Sequence, residues 1–350
     1  MGILTYRDDA FLQCACDRVA GRFAKFKSQE ISNQIYALGL LAFKCESFLL
    51  AACAYASHRL ARFQPREISN IVYALGLLGY KDTAFLRSVC RHISLNLHAF
   101  SAQGISNIVH ALAILGYRDK RFLESVCRHM PLRLPEFDAQ NISNVVYGLG
   151  ILGFKDRAFL HAVCKHVPPR LGDFQAQNVS NTIYGLGLLG FADDDFMGAI
   201  CSHAQGRLED FKPQEISNTL HALGLLAYRN EAFLQTACTM AVRRLDTFNA
   251  QGLTNIAYAL GRLDFHHEDF LRALCVDVIP VRISQFKAQE IQNTAYAAGL
   301  LGRSDVAFVL ALCVHVPRRL SEFSAQDISS TAYALVLLGS ERPGHASSLR

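Results

Sequence analysis

Polar and aromatic side chains that could recognise a ligand recur along this 350-residue sequence at one fixed interval, so they form columns rather than one cluster. Carboxylates, amides and hydroxyls can pair with the edges of nucleic-acid bases, and arginines can pair with phosphates. Catalysis needs a unique asymmetric cluster, and the sequence has no glycine-rich phosphate loop, no acid pair at a plausible spacing and no nucleophile elbow. We therefore predict a binding protein without enzymatic activity, cofactor or small-molecule substrate.

Two of these columns vary among polar residue types, as side chains that read a ligand would. The first contains Glu30, Glu67, Gly104, Asn141, Asn178, Glu215, Gly252, Glu290 and Asp327. The second, one helical turn further on, includes Gln34, Thr182, Thr219 and Thr294. We predict that both columns read RNA bases from an outward arc, beside a column of alanine or glycine that leaves room for a flat ligand. The alternative is a solvated surface on which the polar residue type varies from copy to copy without a role in binding.

An asparagine column and an aromatic column are more uniform, which favours structural roles. The asparagines are Asn33, Asn70, Asn107, Asn144, Asn181, Asn218, Asn255 and Asn293. We expect them to satisfy backbone groups between repeats, with base contact as the alternative. The aromatic column contains Tyr36, Tyr73, His110, Tyr147, Tyr184, His221, Tyr258, Tyr296 and Tyr333. Packing with a polar tip is favoured there over stacking on bases.

An arginine column could bind phosphates if it pointed toward the ligand. Its members are Arg22, Arg59, Arg133, Arg170, Arg207, Arg244, Arg282 and Arg319. They lie near the end of a predicted helix, where a cation is stabilised by the negative helix terminus, so we favour a structural role.

Nine of the eleven cysteines also share one repeat position, from Cys16 to Cys313. Stacked helices lie about 8–10 Å apart, too far for a disulfide between neighbouring copies, so these thiols are predicted to be reduced, buried and apolar in function. Histidines two residues after the column cysteine point about 200° away from it, so no zinc site is predicted. A reducing compartment is the expected setting.

The repeat that positions these columns is marked by nine phenylalanines. Their spacing is 37 residues, with one interval of 38: Phe26, Phe63, Phe100, Phe137, Phe174, Phe211, Phe248, Phe286 and Phe323. Each copy holds a first helix, here called helix A, a glycine-aromatic end, and a second helix, called helix B. No stretch alternates with period two, so the sequence predicts an all-α solenoid of about nine helix-turn-helix repeats.

Asp8, Asp82, Asp119, Asp156, Asp193, Asp305 and Asn230 are predicted to cap the B helices, whereas Cys45 and His267 are not. The extra residue, between Cys275 and Arg282, should be absorbed near the end of a B helix. We predict one domain over residues 1–339, with partial repeats at both ends, and a disordered tail over 340–350. The incomplete first and last copies lead us to expect a fragment, or a chain whose ends meet something else. No apolar run is long enough to span a membrane.

The first helix resembles the octotricopeptide repeat and its 37-residue relative, the heptatricopeptide repeat. The matching residues include Phe211, Pro213, Gln214, Ser217, Asn218, Ala222, Leu223 and Leu226, and the pattern covers essentially the whole chain. These families favour tryptophan where this chain has tyrosine or histidine. Many of their members also carry a C-terminal RAP domain, which this sequence does not contain. The resemblance implies a right-handed paired-helix solenoid that binds RNA in mitochondria or plastids and supports transcript maturation, stability, translation or ribosome assembly.

Together the columns and the resemblance predict sequence-selective binding of single-stranded RNA along the A helices, at most one base per repeat. Replacing Glu67, Asn141 and Glu215 together should then change the preferred sequence. A net charge of +5 permits a polyanionic partner without requiring one. The rival function is a protein-binding scaffold of the armadillo or HEAT type, and a gene fragment with no independent role is a third possibility.

Overall fold

A computed structural model describes residues 7–339, and in that range the chain has nineteen α-helices and no strand. The predicted tail, 340–350, lies outside the described residues. The helices are α1 Asp9–Ala20, α2 Ser28–Leu40, α3 Glu46–Ser57, α4 Pro65–Leu77, α5 Thr83–Asn96, α6 Ala102–Ile114, α7 Lys120–His129, α8 Ala139–Ile151, α9 Arg157–His166, α10 Ala176–Leu189, α11 Asp194–Gln205, α12 Pro213–Leu226, α13 Glu231–Arg243, α14 Ala250–Leu263, α15 Glu268–Arg272, α16 Ile279–Arg282, α17 Ala288–Leu300, α18 Val306–Arg318 and α19 Ala325–Gly339.

The chain divides after Phe174 into two compact units. In the first unit the A helices α2, α4, α6 and α8 pack in series, and so do the B helices α1, α3, α5, α7 and α9. In the second unit the A helices α10, α12, α14, α17 and α19 pack in series. The B helices α11, α13, the pair α15 and α16, and α18 pack in the same way. Each unit is an α-solenoid, because every helix contacts its equivalent one repeat further on. This confirms the predicted fold class; the single domain and the right-handed superhelix stay predictions.

Most B helices begin directly after the aspartate or asparagine that was predicted to cap them. Side chains at six starts accept a hydrogen bond from the backbone N–H three residues on: Asp8, Asp82, Asp119, Asp156, Asp193 and Asn230. The prediction was wrong for His267, whose Nδ1 accepts from the N–H of Phe270 at 3.2 Å, since a neutral imidazole nitrogen can replace a carboxylate oxygen. It was also wrong for Asp305, which makes no cap bond and instead accepts from Arg303 Nε at 2.7 Å.

Most A helices end at a residue in the left-handed region, which closes the turn into helix B. Five of these residues are glycines with φ between 55° and 66°: Gly79, Gly116, Gly153, Gly190 and Gly302. The same position holds Ala42, Ala227 and Asp264 at φ between 48° and 52°. A side chain with a Cβ is strained in this region by about 1–2 kcal/mol.

Ala227→Gly is therefore expected to raise the free energy of unfolding by about 1 kcal/mol, because the strain is removed where no packing is lost. Ala227 is exposed, so its methyl group contributes little burial. Chemical denaturation of the variant and the wild-type chain measures the difference. Equal or lower stability of the variant would show that the left-handed turn is not strained.

The extra residue of the seventh copy, which begins at Phe248, is absorbed inside helix B. A π-helical segment, Ala273–Val278, joins α15 to α16, and a π turn accommodates one residue more than an α turn. The insertion is thus placed close to the predicted position, and the division between the units lies elsewhere.

Glycine and alanine bring consecutive A helices into close contact. A Cβ atom added to Gly76 would lie 2.8 Å from Ala111 Cβ and 3.0 Å from Ala111 Cα, and Gly39 stands in the same relation to Ala74. Ala74 and Ala111 belong to the alanine-glycine column that we expected to leave room for a flat ligand. That expectation was wrong, because the next A helix occupies the room.

The arginine column joins consecutive repeats. Arg133 donates to the carbonyl oxygens of Leu97 and Phe100, and Arg319 donates to those of Ile283 and Phe286. Arg244 and Arg282 make equivalent bonds, whereas Arg59 bonds within its own helix. Each partner carbonyl lies 33–36 residues earlier, in the short 3₁₀ turn of the preceding repeat. In these four arginines the guanidinium bonds to the neighbouring repeat rather than to the arginine's own helix end, and a structural role for the whole column stays a prediction.

The cysteines of the column from Cys16 to Cys275 are buried, as predicted, and none of them forms a disulfide within residues 7–339. Burial raises the pKa of Cys16, Cys201 and Cys275 to about 12, so these thiols stay protonated. Cys313 is exposed instead, because α18 is the last B helix that the structure describes. No helix within residues 7–339 is both long and apolar enough to cross a membrane.

Candidate nucleic-acid interface

One face of each A helix is left open to solvent, and we call it the A face. It consists of the residues three, seven, ten and fourteen positions after the marker phenylalanine. In α6 these are Gln103, Asn107, His110 and Ile114, of which Gln103 and Ile114 are exposed and the other two half-buried. Because positions i, i+4, i+7 and i+11 share one side of a helix, each copy presents a stripe of amide, amide, aromatic and aliphatic groups.

The asparagine amides of the A face bond to no protein group that the structure describes. Within residues 7–339, no described hydrogen bond involves the side chains of Asn33, Asn70, Asn107, Asn144, Asn181, Asn218, Asn255 or Asn293. Most are half-buried. The expected bonds between repeats are made by the preceding column instead: Ser32 Oγ donates to the Glu67 carbonyl at 3.0 Å, and Ser106 Oγ donates to Asn141 Oδ1 at 2.8 Å. The amides therefore remain available to a ligand.

The aromatic side chains of the A face touch one another along each unit. Ring centroids are 6.4 Å apart for Tyr36 and Tyr73, 6.1 Å for His110 and Tyr147, and 5.7 Å for His221 and Tyr258. The predicted packing role is confirmed, because these distances are those of aromatic pairs in contact. Nearly all of these rings are also half-exposed, so a face or edge stays open for stacking.

An aliphatic residue follows the aromatic one in most copies and is exposed although it is apolar. Leu40, Leu77, Ile114 and Ile151 are 42–52% exposed. Sequence reasoning missed this column, and it also missed the glutamines at the start of the stripe. Both are nearly uniform, and uniformity was interpreted as architecture.

The first predicted base-reading column lies at the starts of the A helices, where its side chains cap the backbone. Side-chain oxygens accept from the N–H three residues earlier, at 2.8–3.0 Å, in Glu30, Glu67, Asn178, Glu215, Glu290 and Asp327. In the other copies the earlier residue caps instead: Ser101, Asp138 and Asn249 accept from the N–H of Gly104, Asn141 and Gly252. The variation in this column is thus explained by which of two residues forms the cap.

The second predicted column is inside the protein. Thr182, Thr219 and Thr294 are at most 1% exposed, and each hydroxyl donates to the backbone carbonyl four residues earlier. Gln34 alone is half-exposed. Buried hydroxyls with satisfied hydrogen bonds cannot reach a ligand on the surface, so these threonines are not placed to read bases.

Two histidines replace tyrosine in the aromatic column. Burial lowers the pKa of His110 and of His221, and Arg262 lowers that of His221 further. In each ring Nδ1 is buried without a hydrogen-bond partner among the described residues. Both rings are therefore neutral at pH 7, and a neutral ring can stack or pair with a base without adding charge.

The pKa values of His110 and His221 predict a loss of stability in acid. Their folded pKa lies below the unfolded value of 6.5, so the unfolded chain binds more protons and stability falls as the pH drops below about 6.5. The double variant His110→Tyr, His221→Tyr should lose less melting temperature than the wild type between pH 7.5 and pH 5.5. Equal losses would show that other groups carry the acid sensitivity.

One family model matches most of this chain. A family model described as RESC6, RNA-editing substrate-binding complex 6 protein, matches residues 58–306. A comparison with curated proteins gives no match. Among solved structures, the crystal structure of the pentatricopeptide repeat protein PPR10 in complex with an 18-nt psaJ RNA element is similar over 94% of this chain and 61% of that chain, at 12% identity and a TM-score of 0.32. This chain therefore spans less than two thirds of that one.

Proposed function

The chain belongs to the family of RNA-editing substrate-binding complex 6 proteins, and from this premise we propose that it binds single-stranded RNA along the A face. The family description supports RNA as the ligand, and the repeat supplies one stripe of recognition groups per copy. The octotricopeptide or heptatricopeptide subtype stays a prediction from the resemblance.

The observation that carries the proposal is the asparagine column. An amide has two donors and two acceptor lone pairs, and those of the asparagine column bond to no described protein group and are not buried away from solvent. Eight copies keep this residue beside an aromatic ring that is at least partly exposed. A single-stranded base satisfies both groups, because its edge can pair with the amide while its plane stacks on the ring.

Because the asparagines are the same in nearly every copy, they discriminate only weakly between bases. Discrimination between bases therefore rests on the copies whose A face has a different residue. Arg66 replaces the glutamine of the A face in α4, and Arg262 replaces the aliphatic residue in α14. His110 and His221 replace tyrosine, and Ser330 replaces asparagine. An arginine that pairs with both acceptors of guanine discriminates by about 1–3 kcal/mol, so Arg66 should favour guanine at one position.

A selection from random single-stranded RNA tests this function, with a matched DNA pool and two salt concentrations. We expect a short motif that is lost as salt rises, since phosphates dominate the affinity. Arg66→Gln should remove a guanine preference at one position, whereas the neighbouring Glu67→Gln should leave the motif unchanged, because Glu67 caps the helix. No enrichment by a folded sample, or a change with Glu67→Gln alone, would contradict the proposal.

A protein ligand is the second outcome that this selection can reveal. The exposed aliphatic residues Leu40, Leu77, Ile114 and Ile151 would also accommodate an apolar peptide side chain. A folded chain that enriches no RNA would therefore favour the scaffold function. A role in transcript maturation, stability, translation or ribosome assembly, and a place in mitochondria or plastids, are proposals carried by the resemblance.

A further inference from the structure

A column of basic residues that the RNA proposal has not used lies in the turn between helices A and B. It stands eighteen positions after the marker phenylalanine, with breaks at Ala192 and Ser304: Lys44, Lys81, Arg118, Lys155, Arg229 and His266. The column follows the last residue of the A face by four positions, as Lys81 follows Leu77. All six residues are exposed.

In the first unit these cations form a continuous row. Lys44 Nζ lies 5.8 Å from the ring centroid of Tyr80, and the guanidinium of Arg118 lies 5.9 Å from that of Phe154. Lys81 Nζ donates to the carbonyl oxygen of Gly116 at 2.9 Å. Each cation thus reaches the turn of the next repeat, so that one positive charge stands beside the end of each A helix.

Both ends of the A helices carry carboxylates that cap a helix: Glu30 and Glu67 at the starts, and Asp82 and Asp119 at the turns. The turns add an exposed cation in each of these copies, in the row of Lys44, Lys81 and Arg118. A strand that lies across the A face can therefore place its phosphates along that row.

The structural role of these cations leaves most of their hydrogen-bonding capacity unused. An ammonium group has three donors, and Lys81 uses one of them on Gly116. Lys44 pairs with Glu46 at 3.2 Å, but both side chains are exposed, and such pairs contribute little. Arg133, in the arginine column, instead donates to carbonyl oxygens of the preceding repeat.

We propose that Lys44, Lys81 and Arg118 bind the phosphates of the RNA strand, with the bases directed along the A face toward the helix starts. This inference rests on the proposed function. It assigns the strand one orientation across the helices, with the sugar-phosphate chain along the turns and the base edges near the asparagines.

The test compares two triple variants of the full chain with the same change in charge. The turn variant is Lys44→Gln, Lys81→Gln, Arg118→Gln. The control variant is Arg91→Gln, Arg121→Gln, Arg128→Gln, which removes three exposed arginines from α5 and α7. Affinity for one selected RNA is measured from about 50 to 300 mM salt. The turn variant should flatten the slope of log K against log salt by about 2, because each phosphate contact in a single strand contributes about 0.7.

At about 0.1 M salt the turn variant should bind at least tenfold more weakly, while the control variant keeps the wild-type slope. A charge-keeping variant, Lys44→Arg, Lys81→Arg, Arg118→Lys, should also keep the slope, which separates lost charge from a damaged fold. Equal slopes for the turn and control variants would overturn this inference alone. Absence of RNA binding by the wild-type chain would overturn the proposed function and this inference with it.

Discussion

Replacing Asn70, Asn107 and Asn144 together by alanine is expected to weaken binding of single-stranded RNA by about a hundredfold or more and to leave the melting temperature unchanged. Each amide that pairs with a base contributes about 1–3 kcal/mol, and a factor of ten corresponds to about 1.4 kcal/mol. The fold should not suffer, because these three side chains make no described hydrogen bond to the protein. Fluorescence anisotropy with a selected RNA measures the affinity, and thermal melting measures the stability.

The neighbouring column supplies a matched control. Ser69, Ser106 and Ser143 precede the three asparagines by one position, are buried, and donate to Pro65, to Gln103 and Asn141, and to Gln140. Their replacement by alanine should lower the free energy of unfolding by about 1 kcal/mol per bond and leave RNA affinity intact in the folded fraction. If the asparagine variant loses stability instead and keeps its affinity, the amides are structural.

Gly76→Val is expected to destabilise the first unit by about 3 kcal/mol or more. The new Cβ would lie within 3.0 Å of the Cα of Ala111, and backbone atoms cannot move aside without separating α4 from α6. Overpacking a tight contact costs about 1–3 kcal/mol, and a side chain with two further methyl groups increases it. Chemical denaturation measures the loss, as a lower midpoint at an unchanged slope.

Two further variants separate helix packing from the intrinsic effect of valine. Gly172→Val places the same side chain in the same unit where nothing lies within 4 Å, so little stability should be lost. The swap Gly76→Ala, Ala111→Gly should be more stable than Gly76→Ala alone, because one methyl group is removed where another is added. The chain already reverses the order at the next pair of A helices, with Ala113 and Gly148 at the equivalent positions. A loss at Gly172 as large as that at Gly76 would contradict the packing explanation.

The repeat and the element boundaries could be predicted from the sequence because their signals are local. A proline at the first helical position, as in Pro65, and an aspartate before a Phe-Leu pair, as in Asp82, act on neighbouring backbone groups. The period then requires that equivalent helices stack, which yields the solenoid without knowledge of any distance. The wrong predictions at His267 and Asp305 arise because the same residue type can bond to more than one partner: His267 caps a helix, and Asp305 pairs with Arg303.

The A face could not be predicted from the sequence, because helix periodicity does not say which polar arc of a helix contacts the next repeat. Projection of the first copy placed Glu30, Asn33 and Ala37 outward, with Gln34 and Leu41 at the margin, and of these only Asn33 belongs to the A face. In α2 Ala37 is indeed exposed, since no A helix described before it packs there, whereas the equivalent Ala74 is buried against Gly39. The A face is centred roughly 100°, or one residue, round the helix from Glu30, Gln34 and Ala37.

A signal in the sequence could have corrected the first column. In the two copies where Ser101 and Asn249 cap the helix, the column holds glycine. Where that residue is lysine, as in Lys212, the column holds glutamate. Such complementarity over three positions is the signature of a helix start, not of a ligand-reading side chain.

The most direct measurement of the central claim is photocrosslinking of the full chain to a selected single-stranded RNA that carries photoreactive bases, followed by mass spectrometry of the crosslinked peptides. We predict crosslinks in the A helices of the first unit, at Tyr73, His110 and Tyr147. These should be lost in the variant that lacks Asn70, Asn107 and Asn144. Crosslinks confined to B helices such as α5 and α7, with none on the A face, would contradict the account.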